Sequence, residues 1–219
     1  MKDILLFDLD GTLTDPKEGI TKCVEYALNA YGIQVESLDD LMCFIGPPLV
    51  DSFQMFYGFD KQKAENAVEK YRERFKDIGI FENKIYAGVI ELLDSCKKAG
   101  KTICLATSKP EVFAVRILDK YGMAEYFDEA VGSTLDGSIN AKHEVIEEAF
   151  RRLNIHSEED KARVLMIGDR KHDILGAKRM GIESVGVRFG YAEEGELEAA
   201  GADYIVDTVT DLEKLCLNI

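Results

Sequence analysis

Short, unbroken apolar runs recur along the chain: ILLFDL (4–9), TICLA (102–106), EAVGS (129–133), VLMIGD (164–169), SVGV (184–187) and DYIV (203–206). Runs of this length without polar alternation suit parallel strands buried on both faces. Between them the apolar positions change period. Val89, Leu92, Leu93, Cys96 and Ala99, and later Val145, Ile146, Ala149, Phe150 and Leu153, recur at spacings of three and four. Each set makes one apolar stripe on a helix. Strand–helix alternation predicts an α/β chain built on a doubly wound parallel sheet.

One stretch breaks the alternation. From Pro16 to about Gly79 the pattern is helical throughout. Asp15-Pro16-Lys17-Glu18 has the composition of a helix start, with Asp15 as N-cap, Pro16 in the first helical position and Glu18 reaching back. Ala64, Ala67, Val68, Tyr71, Phe75 and Ile78 form a further helical stripe, read as core of this region. Gly46-Pro47-Pro48 marks a loop in the middle. About 65 residues are too many for a connection. The expectation is a small helical domain at 16–81, inserted after the first strand of a domain formed by 1–15 and 82–219.

Charge narrows the partners. Lys and Arg number 27 against 41 Asp and Glu, a formal charge of −14. Such a surface repels nucleic-acid polymers and anionic membranes, so a phosphate ligand has to be small and met by a local basic pocket. Five cysteines without a CxxC pair or Cys/His cluster read as reduced thiols. No apolar run reaches the roughly 18 residues of a membrane span. Asp8 and Asp10 interrupt the N-terminal run, which therefore lacks a signal-peptide pattern, and the expected location is cytoplasmic. Monomer and homodimer both stay open.

The chemistry gathers where the predicted strands end. In an open α/β sheet, ligands bind outside the carboxyl ends of the strands. Asp8 and Asp10 stand at the end of the first strand and project to one side if the chain stays extended. Carboxylates that close repel unless a proton or cation intervenes, and Mg²⁺ takes oxygen ligands. Gly11 then permits a tight turn with its N–H offered to an anion. VLMIGDRKHD (164–173) repeats the theme, with Asp169 at the strand end and Asp173 four residues on. CLATSKP (104–110) ends in Thr107, Ser108 and Lys109, and Lys142 falls near a helix start, where side chain and dipole both favour an anion. Each residue has a plain alternative: Asp8, Asp169 and Thr107 as caps, Asp173 as support for Arg170 or Lys171, Lys142 as a solvated lysine. Ser108 and Lys109 are balanced between the two readings. His143 and His172 read as surface or supporting groups, and Glu193, Glu194, Glu196 and Glu198 as a solvated helix face. Carboxylates, hydroxyl and ammonium on four strand ends together match phosphoryl transfer.

These residues resemble the haloacid dehalogenase superfamily. DLDGT (8–12), Thr107 in LATSK, Lys142 and GDRKHD (168–173) occur in that family's order. FIGPPL (44–49), GSTLDGSINAKHEVI (132–146) and IGDRKHDILGAKRMGIESVGVRFGY (167–191) are similar to its phosphoglycolate phosphatase and 5′-nucleotidase-like branch. The resemblance implies a Rossmann-like core and a helical cap that closes over a small phosphorylated metabolite. It implies that Asp8 attacks phosphorus and that Asp10 serves as acid and base. It implies Mg²⁺ held by Asp8, the Asp10 carbonyl, Asp169 and Asp173, and a phosphoryl group held by Thr107 and Lys142. The second Asp of DLD separates phosphatases from the family's dehalogenases. Lys17 and Lys22 lie in the cap without a pattern that marks a Schiff-base lysine.

Phosphate and metal groups cannot choose the rest of the substrate, so selection is expected in the cap, at Glu18, Gly46 and Pro47, where prolines stiffen a loop. A rigid helix–helix connector explains the same loop equally well. The expected activity is a Mg²⁺-dependent phosphomonoesterase. The alternatives are a phosphomutase of the β-phosphoglucomutase kind and a weakly active phosphate-binding regulatory protein.

Overall fold

The computed structural model describes residues 2–219. In chain order its elements are β1 (Ile4–Phe7), β2 (Thr14–Asp15), α1 (Lys17–Asn29), α2 (Leu49–Tyr57), α3 (Lys61–Phe75), β3 (Lys84–Ile85), α4 (Val89–Lys98), β4 (Thr102–Pro110) and α5 (Glu111–Lys120). There follow β5 (Glu129–Ser133), α6 (Lys142–Leu153), α7 (Glu158–Lys161), β6 (Val164–Gly168), α8 (Lys171–Met180), β7 (Glu183–Val187), α9 (Glu196–Ala200), β8 (Tyr204–Val206) and α10 (Val209–Asn218). The described residues form two compact units, 2–14 with 85–219, and 15–84.

The first unit is a parallel sheet flanked by helices, a Rossmann-like arrangement of order β5-β4-β1-β6-β7-β8. β1 sits in the middle, paired in parallel with β4 on one side and β6 on the other. Its four residues are all buried, as strands covered on both faces require. Ile4 and Leu6 join Cys104, Ala106, Val164 and Met166 on one face, over Val145, Ile146, Ala149 and Phe150 of α6 and Ala177 of α8. The chain leaves β1 toward β4 and β5, then returns to build β6, β7 and β8 on the other side. That reversal makes the end of β1 a topological switch point, the crevice where such sheets bind ligands. Register does the rest: Phe7 lies opposite both Leu105 and Ile167, so the residues after all three emerge at one level.

The helical unit, 15–84, packs α1 against α3 and α2 against α3. Its core is aromatic: Phe44 meets Phe53 at 5.0 Å between ring centroids, and Tyr31 meets Phe59 at 5.1 Å. Asp60 caps α3 by accepting from the Lys63 N–H at 2.8 Å. Two local expectations are corrected here. Pro16 occupies the N-cap position of α1, Asp15 accepts from the Lys17 N–H at 3.0 Å, and Glu18 turns forward to Lys22 at 2.6 Å. The apolar stripe of α3 stops at Phe75; Ile78, beyond the helix end, is 55% exposed.

Candidate active site

The first strand runs out into a loop that closes on itself. The Leu9 carbonyl accepts from the N–H groups of Thr12, Leu13 and Thr14 at 3.2, 2.9 and 3.0 Å. Gly11 adopts φ of +83° and donates its N–H to the Thr14 carbonyl at 2.7 Å. The sequence suggested that this N–H faces an anion; the turn consumes it instead. Glycine is needed here for a second reason. A Cβ at this position would stand 2.1 Å from Asp169 Oδ2, so only a bare backbone lets the two loops touch.

Three carboxylates meet at this level. Asp8, Asp169 and Asp173 are buried and each offers an oxygen within 4.8 Å of the others. Asp8 is placed by β1, whose ladder its own N–H extends to the Ile167 carbonyl at 2.9 Å. Asp169 follows β6 and accepts from the Tyr191 N–H at 2.7 Å. Asp173 is third in α8, where one oxygen caps the helix by accepting from the Arg170 N–H at 3.1 Å. Lys142, the first residue of α6, bridges the group: its Nζ lies 2.8 Å from Asp8 and 2.7 Å from Asp173. It donates to Asp8 Oδ1 and to the Ala106 carbonyl, at 2.8 and 2.9 Å. The contact with Asp173 Oδ1 is close but off hydrogen-bond alignment.

Burial dominates the electrostatics. It raises the Asp169 carboxyl well above its usual range, and the Asp173 and Asp8 charges add to the effect. Burial lifts Asp173 to about 6 against the pull of Lys142. Burial also works against the Lys142 ammonium, but Asp173 and Asp8 overcome it and the net shift is upward. Burial and mutual repulsion thus oppose ionisation of Asp169 and Asp173, and with all three carboxylates ionised the single Lys142 ammonium would leave two negative charges uncompensated. A hard divalent cation with oxygen ligands meets that demand.

Asp10 stands beside the cluster. Its Oδ2 lies 2.6 Å from Lys109 Nζ, and its Oδ1 is buried without a hydrogen-bond partner among the described residues. Burial raises its carboxyl, with Lys109 opposing. Thr107 is buried within β4, and its hydroxyl accepts from the Lys109 N–H at 3.3 Å. Ser108 is half-buried and its carbonyl accepts from the Ser133 hydroxyl at 2.8 Å. Glu18, Gly46 and Pro47 lie in the helical unit, Glu18 exposed and the other two in the bend before α2.

Three features escaped the sequence reading. Gly176 on α8 makes room for the stem of Lys142, whose Cγ would stand 2.8 Å from a Cβ there. Tyr191 supplies a backbone donor to Asp169 from the segment after β7. Glu196, expected on a solvated face, has a side chain only 7% exposed; it takes Arg170 Nε at 2.9 Å and the Lys171 N–H at 2.8 Å. An inward-turned glutamate could have been suspected only from Arg170, a charge beside a buried acid pair.

Residues 5–187 match the haloacid dehalogenase-like hydrolase family. The chain belongs to that family. It is 46% identical to a 5′-nucleotidase of Pseudomonas aeruginosa over 89% of this chain and 86% of that one. It is 34% identical to the tyrosine-protein kinase PtkA of Mycobacterium tuberculosis, over 94% of this chain and 69% of the relative. A predicted phosphatase from Clostridium acetobutylicum superposes with a TM-score of 0.95 at 47% identity, each chain covered completely. The protein is a phosphatase of the family, acting on small phosphoric monoesters. Its buried acidic cluster has the makings of a divalent metal site. Among the described residues no helix is long and apolar enough to cross a membrane.

Proposed function

We propose that the protein is a Mg²⁺-dependent phosphomonoesterase that works through an aspartyl-phosphate on Asp8, with 5′-nucleotides as its leading substrate class and phosphoglycolate-like monoesters next. The observation that supports this most is the buried group of Asp8, Asp169 and Asp173, three carboxyls served by one lysine, at the switch point of the sheet. Mg²⁺ would be held by these three carboxylates and the Asp10 backbone carbonyl. When bound, it supplies the positive charge that offsets the phosphoryl oxygens and the nucleophile together.

The chain does the remainder. Asp8 directs a carboxylate oxygen at phosphorus; a P–O bond forms to Asp8 as the bond to the leaving oxygen breaks. Asp10 gives the leaving oxygen its proton, then takes one from the water that attacks the acyl phosphate. Lys142 keeps an ammonium beside Asp8 and offsets phosphoryl charge, with the Thr107 hydroxyl and Ser108 orienting the group. The Gly11 N–H has no part in this, because the Thr14 carbonyl holds it. Residues 16–81 act as the cap, and substrate choice is assigned to Glu18, Gly46 and Pro47. The 5′-nucleotidase similarity favours nucleotides over other monoesters.

The test is phosphate release from 4-nitrophenyl phosphate, 5′-nucleotides and phosphoglycolate, each with Mg²⁺ or with EDTA. Release is expected only with Mg²⁺. Asp8→Asn is expected to abolish it, a loss of more than about 10³-fold, with an unchanged circular dichroism spectrum. Undiminished turnover by that variant would falsify the nucleophile assignment. Transfer of the phosphoryl group to tyrosine, or net sugar-phosphate isomerisation, in place of release to water would overturn the hydrolase reading.

A further inference from the structure

Two lysines serve the strand ends, and each takes different carboxylates. Lys142 takes Asp8 and Asp173. Lys109 takes Asp10, at 2.6 Å. Lys109 comes from the last turn of chain in β4, where the pairing with β5 slips between Thr107 and Pro110. β4 lies beside β1, and Lys109 reaches Asp10 in the loop that follows that strand. The Lys109 side chain is only 5% exposed and the Asp10 side chain 12%. A buried ion pair of this kind is costly to assemble and gives little net stability, so its retention calls for another account.

The two oxygens of Asp10 offer one. Oδ2 is fixed on the ammonium, while Oδ1 is buried and has no hydrogen-bond partner among the described residues. An unclamped carboxyl turns about its Cβ–Cγ bond and exchanges its oxygens. In-line displacement at phosphorus, carried out twice with Asp8 on one side, sends the leaving oxygen out and brings water in along the same line. One carboxyl oxygen, held in one place, can therefore give the proton in the first step and accept it in the second. We propose that Lys109 is the positioning residue of this reaction: it clamps Oδ2 of Asp10 and confines proton traffic to Oδ1. The proposal rests on Asp10 being the acid and base, as read above.

The experiment compares kcat/KM for two monoesters of similar size, benzyl phosphate and 4-nitrophenyl phosphate, both with Mg²⁺. kcat/KM reports attack on phosphorus and departure of the alcohol. Benzyl alcohol must be protonated as it leaves, whereas 4-nitrophenolate departs without help. Lys109→Met is expected to lose about 100-fold on benzyl phosphate, the usual worth of a general acid, and less than about 5-fold on 4-nitrophenyl phosphate. Asp10→Asn sets the benchmark and is expected to show the same selectivity. The double variant is expected to be no worse than Asp10→Asn, since both remove one interaction. Lys109→Gln, which keeps an N–H donor, is expected to recover part of the loss; it also serves if Lys109→Met fails to fold. Equal loss on both esters would place Lys109 on the phosphoryl group or in the core alone, and no loss would remove it from the reaction; either result overturns the proposal. If the wild-type protein released no phosphate, or Asp10→Asn lost equally on both esters, the acid–base reading would fail as well. Selectivity in Asp10→Asn without selectivity in folded Lys109→Met would sink the clamp alone.

Discussion

Both units carry exposed ion pairs, but among the described residues the deeply buried ones all lie in the α/β unit. In the α/β unit, Lys142 joins Asp8, 134 residues away, and the side chains are 4% and 9% exposed. In the helical unit, Lys22 joins Glu18 one turn away and Glu82 beyond it, and Arg74 joins Glu82 at 2.6 Å; these side chains are 20–50% exposed. Exposed pairs cost little desolvation and return up to about 1 kcal/mol each. Buried charges cost several kcal/mol and are kept where chemistry needs them. Depth, and not sequence separation, thus distinguishes charges that serve a reaction from charges that dress a surface: Arg163 meets Asp3 across 160 residues, yet the side chains are 49% and 34% exposed.

The hardest test of that contrast removes the buried ammonium. Lys142→Met leaves Asp8, Asp169 and Asp173 facing one another without a counter-charge. The expected result in EDTA is a loss of about 3–5 kcal/mol of stability by urea titration, the usual penalty for breaking a buried pair. Saturating Mg²⁺ is expected to restore part of the stability but not phosphate release. A variant as stable as wild type in EDTA would mean that the cluster does not carry the charge ascribed to it.

Adding the cation to the wild-type protein is the next largest effect. A ligand that binds only the folded state at a hundred times its Kd stabilises by about 2.7 kcal/mol. Mg²⁺ is therefore expected to raise the melting temperature, and Asp169→Asn to remove most of the rise. Na⁺ at matched ionic strength is expected to leave it unmoved, because buried charges are little screened. A rise that survived Asp169→Asn would place the ion elsewhere.

Much of this was legible in the sequence because the relevant signals are local. The unbroken apolar runs marked the buried strands, and DLDGT and GDRKHD placed acids just after two of them. What stayed hidden depends on parallel register. Lys109 finds Asp10 because β4 lies beside β1, and Gly176 matters because α8 lies against α6 where the stem of Lys142 passes. No spacing within one segment encodes either meeting. The Gly11 reading failed for a related reason: the glycine signalled a turn, but which acceptor takes its N–H depends on how far the turn curls, and here it reaches Thr14.

Gly176 yields a prediction of intermediate size. A Cβ at that position would lie 2.8 Å from Lys142 Cγ and 3.0 Å from its Cβ. Gly176→Ala forces the lysine stem or the helices apart, a cost of about 1–3 kcal/mol. Activity is expected to fall more than stability suggests, because the displaced atoms lead straight to the ammonium. If turnover were retained while stability fell, the lysine's placement would be less exacting than its burial implies.

The smallest effect belongs to the exposed network, and its sign follows from Glu82. The hydrogen bonds from Arg74 hold this carboxyl below its ordinary value of 4.5, against a smaller opposing effect of burial. A carboxyl with a lowered folded-state pKa stabilises the fold above its unfolded value, and that contribution drains away as pH falls through 4.5 and below. Many carboxylates titrate in that window, so the informative quantity is a difference between proteins. Hydrogen exchange of the α3 amides reads local opening of the helical unit. At pH 6, Glu82→Gln is expected to open more readily than wild type by about 1 kcal/mol. As pH falls through 4.5 and below, the gap is expected to narrow, because the wild-type carboxylate takes up a proton and approaches the neutral side chain of the variant. Salt at 1 M is expected to narrow it at pH 6 too, as befits a pair in contact with solvent. A gap several times larger, indifferent to salt, would place Arg74 and Glu82 with the buried charges and erase the distinction between the two units.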